Sequence, residues 1–80
     1  LNSTVVRVTE FNWLSIAAPA EPLHVAAKIR YNMHQAPCIV EVLPGGDVQL
    51  TFDTPQRAVT PGQAAVIYDG DTVLGGGRIV

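Results

Sequence analysis

The chain has 80 residues, room for one domain and no more. Its formal charge is −2, five Lys/Arg against seven Asp/Glu, which argues against a stand-alone nucleic-acid binder, because phosphate neutralisation normally shows as a basic excess. A single cysteine, Cys38, excludes an internal disulfide and fits a reduced, cytoplasmic setting, and no apolar run approaches the roughly 20 residues of a membrane-spanning helix. The first residue is Leu1 rather than Met, so the chain is expected to be a fragment of a longer one.

Ser3 to Phe11 is rich in Val and Thr and predicts a first strand, ended by Asn12, Trp13 and Leu14. Ser15 to Pro22 is a loop, because its prolines remove donors and fix the backbone. Leu23 to Tyr31 alternates with period two: Leu23, Val25, Ala27, Ile29 and Tyr31 share one face, and His24, Ala26, Lys28 and Arg30 the other. After a polar connector, Pro37 to Leu43 reads as a third strand with Cys38, Val40 and Val42 on one side. Pro44-Gly45-Gly46-Asp47 is a hairpin turn, and Val48 to Asp53 the return strand. Thr54 to Gly62, with prolines at 55 and 61, reads as a long loop. Gln63 to Tyr68 is the fifth strand, Asp69-Gly70 the two-residue loop of a type I′ hairpin, and Thr72 to Val80 the sixth strand. Six short strands with Gly/Pro turns predict an all-β, six-stranded antiparallel barrel, with a sandwich as the alternative. Closure is favoured because open edges invite edge-to-edge pairing.

The residues supply no catalytic constellation and no metal site. Cys38 alternates with Val40 and Val42, so it is read as a buried, inert thiol, and His34 as a solvated loop histidine. Two histidines and one cysteine at irregular spacing make a poor zinc site. Asp69 and Asp71 flank Gly70 and serve the turn; they are too few to coordinate calcium. Gly75-Gly76-Gly77 has no helix after it to receive a phosphate, so a bulge or a close backbone crossing is expected there. His24, Lys28 and Arg30 stand on the outward face of the second strand and, with Arg57 from the long loop, are the candidates for a small basic patch; the other reading of these residues is an ordinary wet face. Trp13 is expected to plug one end of the barrel.

Several stretches are familiar in series. Asn12-Trp13-Leu14, Lys28-Ile29-Arg30-Tyr31, Phe52-Asp53, Pro55 to Gln63 with Pro61-Gly62-Gln63 at its end, Tyr68-Asp69-Gly70-Asp71 and Leu74-Gly75-Gly76-Gly77 follow one another along nearly the whole chain. In that order they resemble the C-terminal domain of the tRNA-specific 2-thiouridylases, a family also described as tRNA methyltransferases. The Ala-Val-Thr-Pro-Gly-Gln block followed by the triple glycine is the most specific part. More loosely, the C-terminal stretch is similar to the barrel domains of elongation factor Tu, which supports the barrel by analogy.

The resemblance implies a parent enzyme that uses ATP and Mg to activate the wobble uridine of certain tRNAs, followed by delivery of sulfur from a cysteine persulfide. It implies that residues 1–80 are a single accessory domain, that catalysis needs an ATP loop (Ser-Gly-Gly-x-Asp-Ser) and two cysteines that this sequence lacks, and that the fragment alone is inactive. Implied partners are tRNA, the catalytic and central domains of the same chain, and a sulfur-donor protein, with no membrane. Two alternatives stay open: a purely structural interdomain barrel, and the barrel of a translation-factor-like protein.

Overall fold

The computed structural model describes residues 2–80 and contains six strands: β1 (Asn2–Trp13), β2 (Leu23–Lys28), β3 (Ala36–Val42), β4 (Val48–Arg57), β5 (Ala64–Asp69) and β6 (Thr72–Ile79). They close into an antiparallel barrel in the order β1-β4-β3-β2-β5-β6, so the barrel and not the sandwich is correct. No helix among the described residues is long and apolar enough to cross a membrane.

Alternation fills the barrel. Val6 and Val8 of β1, Ala27 of β2, Cys38 and Val40 of β3, Val48, Leu50 and Phe52 of β4, Ala65 and Ile67 of β5, and Leu74 and Ile79 of β6 are buried in one cluster with Ile29. Each fully buried Leu, Ile or Val in it contributes about 1.5–3 kcal/mol relative to exposure. The aliphatic composition is thus the composition of the lumen.

Strand β1 is the longest, because it serves two neighbours. Its first half pairs with β4 and its second half, from Val8, with β6. Between Thr9 and Asn12 it carries one more residue than β6 does between Arg78 and Gly76. Glu10 takes the extra place with φ of 53°, in the left-handed region that few non-glycine residues enter. One extra residue exchanges the two faces of a strand. Val6 and Val8 therefore point inward before the bulge, while Phe11 and Trp13 pack on the core after it, their ring centroids 4.4 Å apart. Asn12 and Trp13 continue the strand rather than ending it, and Trp13 is half-buried and packs against the core.

Three further boundaries differ from the sequence reading. β2 stops at Lys28, not Tyr31, because the Ile29 amide donates to Met33 Sδ at 3.2 Å and the chain turns away from the ladder. Tyr31 consequently leaves the inward face and is 95% exposed. β4 runs on through Pro55 to Arg57: residues 52–55 loop away from β1, and the chain then returns to pair Gln56 with Ser3 and Arg57 with Asn2. Proline survives there because the looped-out stretch makes no ladder bond to β1 that needs its missing N–H. Finally, Asp69 pairs with Thr72, so the hairpin loop is Gly70-Asp71 rather than Asp69-Gly70. Gly70 has φ of 60° and Asp71 is not in the positive region, the signs of a type II′ rather than a type I′ turn.

Candidate nucleic-acid interface

The ladder between β2 and β5 is short. It holds Ala26↔Tyr68, Ala27↔Ile67 and Lys28↔Val66 and then stops, because β2 turns off at Ile29 while β5 continues back to Ala64. The gap forms a cleft of about 300 Å³ on the outside of the barrel. Lys28, Val66, Tyr68 and Ala64 belong to its strand face, Gln63 closes one end, and Arg30 and Tyr31 come from the turn after β2.

The charges sort themselves in a telling way. Arg7 is paired with Asp47 at 3.4 Å and Arg78 with Glu10 at 2.7 Å. Among the described residues, no carboxylate lies within salt-bridge distance of Lys28, Arg30 or Arg57. Two of them, Lys28 and Arg30, line the cleft, and Arg57 adjoins it through its backbone. Lys28 Nζ sits 5.7 Å from the centre of the Tyr68 ring, inside the range of a cation–π contact. Arg30 Nη1 donates to the Arg57 carbonyl oxygen at 2.9 Å, which ties the β2 turn to the end of β4 and leaves most of the guanidinium donors free. His24 is not part of this group. It lies at the other end of β2, and its Nε2 contacts the Asp53 carboxylate at 3.1 Å. Of the four candidates, the structure brings Lys28 and Arg30 together in the cleft, joins Arg57 to Arg30 by its backbone carbonyl, and leaves His24 outside.

Sequence reasoning missed Tyr31 and Tyr68 as cleft residues. Tyr31 was assigned inward by period two, and the signal that places it at the cleft, the sulfur-capped turn at Ile29, is not local to it. Gln63, singled out as a motif residue, lines the cleft for a legible reason. Thr60-Pro61-Gly62-Gln63 is a type II corner, with Gly62 at φ of 92° and the Gln63 amide donating to the Thr60 carbonyl at 3.2 Å. The Gly62 amide donates to Ile79 O and the Ile79 amide to Gln63 O, both at 2.8 Å, fixing this corner to β6.

Two other candidates for chemistry take structural roles. Cys38 is fully buried, and burial, aided by the nearby Asp53 charge, pushes its thiol up to about 11, so it stays protonated and unreactive near neutrality. Gly75, Gly76 and Gly77 form no cradle for ATP phosphates. They lie inside the ladders to β1 and β5, and a Cβ on each would meet a carbonyl oxygen: Asn12 at 2.5 Å, Ala65 at 2.9 Å and Thr9 at 2.6 Å. Carbonyl oxygens repel a phosphate. Among the described residues no group of three His, Cys, Asp or Glu is placed to hold a metal ion.

Residues 3–79 match a family model described as the aminomethyltransferase beta-barrel domain. The chain belongs to that family. Curated relatives carry the name tRNA-specific 2-thiouridylase MnmA. The one from Acetivibrio thermocellus is 53% identical over 70 residues, covering 88% of this chain and 20% of the relative. The one from Nostoc punctiforme is 51% identical over 72 residues, with 90% and 20% covered. The one from Francisella philomiragia is 45% identical over 75 residues, with 94% and 21% covered. The chain therefore spans about a fifth of the length of these relatives.

Proposed function

We propose that this barrel is the accessory C-terminal domain of an ATP-dependent, cytoplasmic enzyme that places sulfur on the wobble uridine of tRNA, and that it helps to hold the tRNA. The observation that carries the RNA contact is the placing of Lys28 and Arg30, cations without a carboxylate partner, in one cleft of a chain whose net charge is −2, with the third such cation, Arg57, tied to Arg30 through its carbonyl. Contacts of this kind position a nucleic acid through its phosphates without reading sequence. The names of the relatives support the reaction class. ATP, its Mg ion, the catalytic cysteines and the docking of a sulfur donor are assigned to the remainder of the enzyme. The barrel contributes no reacting group.

A second role is compatible with the first. Leu14, Ile16 and Val73 are exposed apolar side chains on segments tied together by the Leu14 amide to Leu74 O (2.9 Å) and Ser15 Oγ to Val73 O (2.8 Å). We assign this end to packing against another domain of the same enzyme. The deciding experiment compares tRNA affinity of the full-length enzyme with that of the K28E/R30E/R57E variant at two salt concentrations. Weaker binding with a shallower salt dependence is expected, since each lost phosphate contact lowers the slope by about one. Unchanged affinity and slope would remove the RNA role and leave the barrel as scaffold.

A further inference from the structure

Tyr31 does nothing for the fold. At 95% exposed it is the most exposed of the large apolar side chains, and it joins no part of the core. A single exposed aromatic is unremarkable on a protein surface; its company here is not. The turn after β2 sets Tyr31 beside Arg30 at the mouth of the cleft, and a second ring, Tyr68, lines the opposite strand with Lys28 against it. Holding a duplex backbone uses cations and hydroxyl donors and offers no work to the face of an exposed ring. An unpaired base does: bases of single strands and loops stack on aromatic rings and guanidinium planes. The cleft, about 300 Å³, has room for one nucleobase. Val66 and Ala64 give the space an apolar strand face that a base tolerates.

We propose that the β2–β5 cleft receives an unpaired nucleotide of RNA, its base stacked on Tyr31 and its phosphate held by Lys28 and Arg30. The inference rests on the RNA-contact reading above and adds to it the strand state of the RNA. Arg57 supports the site through its carbonyl, which fixes the Arg30 side chain. Because Tyr31 carries no charge, it supplies discrimination between unpaired and paired RNA without changing the salt dependence.

The chain closes its own barrel and can be tested as it stands. The ¹⁵N-labelled chain is titrated at low salt with a single-stranded RNA hexamer and, separately, with a six-base-pair RNA duplex. Shifts in residues 28–31 and 63–68 with the single strand are expected, with tighter binding than to the duplex. Tyr31→Ala is expected to weaken single-strand binding about tenfold, within the range known for one stacked base. It should leave duplex binding within about twofold, and Tyr31→Phe should retain nearly all the affinity. If single-strand shifts miss the cleft or are absent, or if Tyr31→Ala weakens both ligands alike or neither, the stacked nucleotide is refuted. The K28E/R30E/R57E variant separates the two readings. If it weakens both ligands while Tyr31→Ala weakens neither, the phosphate contact stands and the stacking fails. If it changes nothing while Tyr31→Ala still selectively weakens the single strand, the stacking stands and the phosphate contact fails.

Discussion

Replacing the three glycines of β6 one at a time by alanine tests the packing argument most directly. None of the three has a positive φ, so the backbone itself accepts alanine and any penalty is steric. At Gly77 the new Cβ would lie 2.6 Å from Thr9 O, 2.8 Å from Val8 Cγ1 and 3.1 Å from Phe11 Cα. At Gly75 it would lie 2.5 Å from Asn12 O and 2.7 Å from the Phe11 ring. Both sites face the bulge of β1, whose backbone is held on each side by ladder pairs and cannot retreat cheaply. At Gly76 only Ala65 O is close, at 2.9 Å, and the next atoms are 3.6 Å away. Overpacking costs about 1–3 kcal/mol, offset by about 0.4–1 kcal/mol because alanine restricts the unfolded chain. We expect Gly75→Ala and Gly77→Ala each to lose about 1–2 kcal/mol, and Gly76→Ala to lose less than about 1 kcal/mol. For a domain of this size that is a fall in Tm of roughly 4–16 °C at the first two positions. Thermal melts followed by far-UV circular dichroism and by Trp13 fluorescence would measure it. Gly75→Ala and Gly77→Ala melting at or above the parent, or Gly76→Ala proving the worst of the three, would refute the reasoning.

Further outcomes follow from the same structure. The Cys38 thiol should resist a water-soluble disulfide reagent at neutral pH until the barrel is unfolded by denaturant; rapid labelling of the native chain would contradict its burial. Its folded value of about 11 lies above its ordinary 9.0, so the native state holds the proton longer than the unfolded state does. Stability should therefore be unaffected by this group below pH 9 and fall by up to about 1.4 kcal/mol per pH unit from there towards pH 11, a component that Cys38→Ala would abolish. Ala58 is exposed with φ of 59°, so Ala58→Gly should be neutral or raise Tm by a few degrees. Ala58→Val should destabilise by about 1–3 kcal/mol, since a β-branched side chain is poorly tolerated there; equal melts for the two would contradict the assigned backbone angle.

The number of strands and the barrel's closure were legible because turn chemistry is local. Pro44-Gly45-Gly46, Pro61-Gly62 and the Gly70 turn punctuate the chain wherever alternation stops, and Gly45, Gly46, Gly62 and Gly70 all take positive φ. The bulge at Glu10 was not legible, because glutamate gives no sign of a left-handed backbone and the exchange of faces it causes is visible only against β6. The extension of β4 through Pro55 was hidden for a similar reason: the pairing that rescues it lies on the distant residues Asn2 and Ser3. Part of the site was readable. Lys28 emerges from strand parity, whereas the place of Arg30 in the turn, the removal of His24 by Asp53 and the outward swing of Tyr31 depend on contacts between elements.

The double duty of β1 also sets the order in which the molecule assembles. The β2–β3, β3–β4 and β5–β6 ladders join strands consecutive in sequence, but Val8 must find Ile79, 71 positions away, before the cylinder is complete. Contacts of such separation are slow to form, so folding in milliseconds to seconds is expected, with β1 docking as the closing event. Until it docks, β4 and β6 each present an open edge shaped for the same strand. The Ser15–Pro22 segment after β1 is a hinge long enough to let that strand come from a second copy, which makes β1 the piece that two molecules would exchange at high concentration.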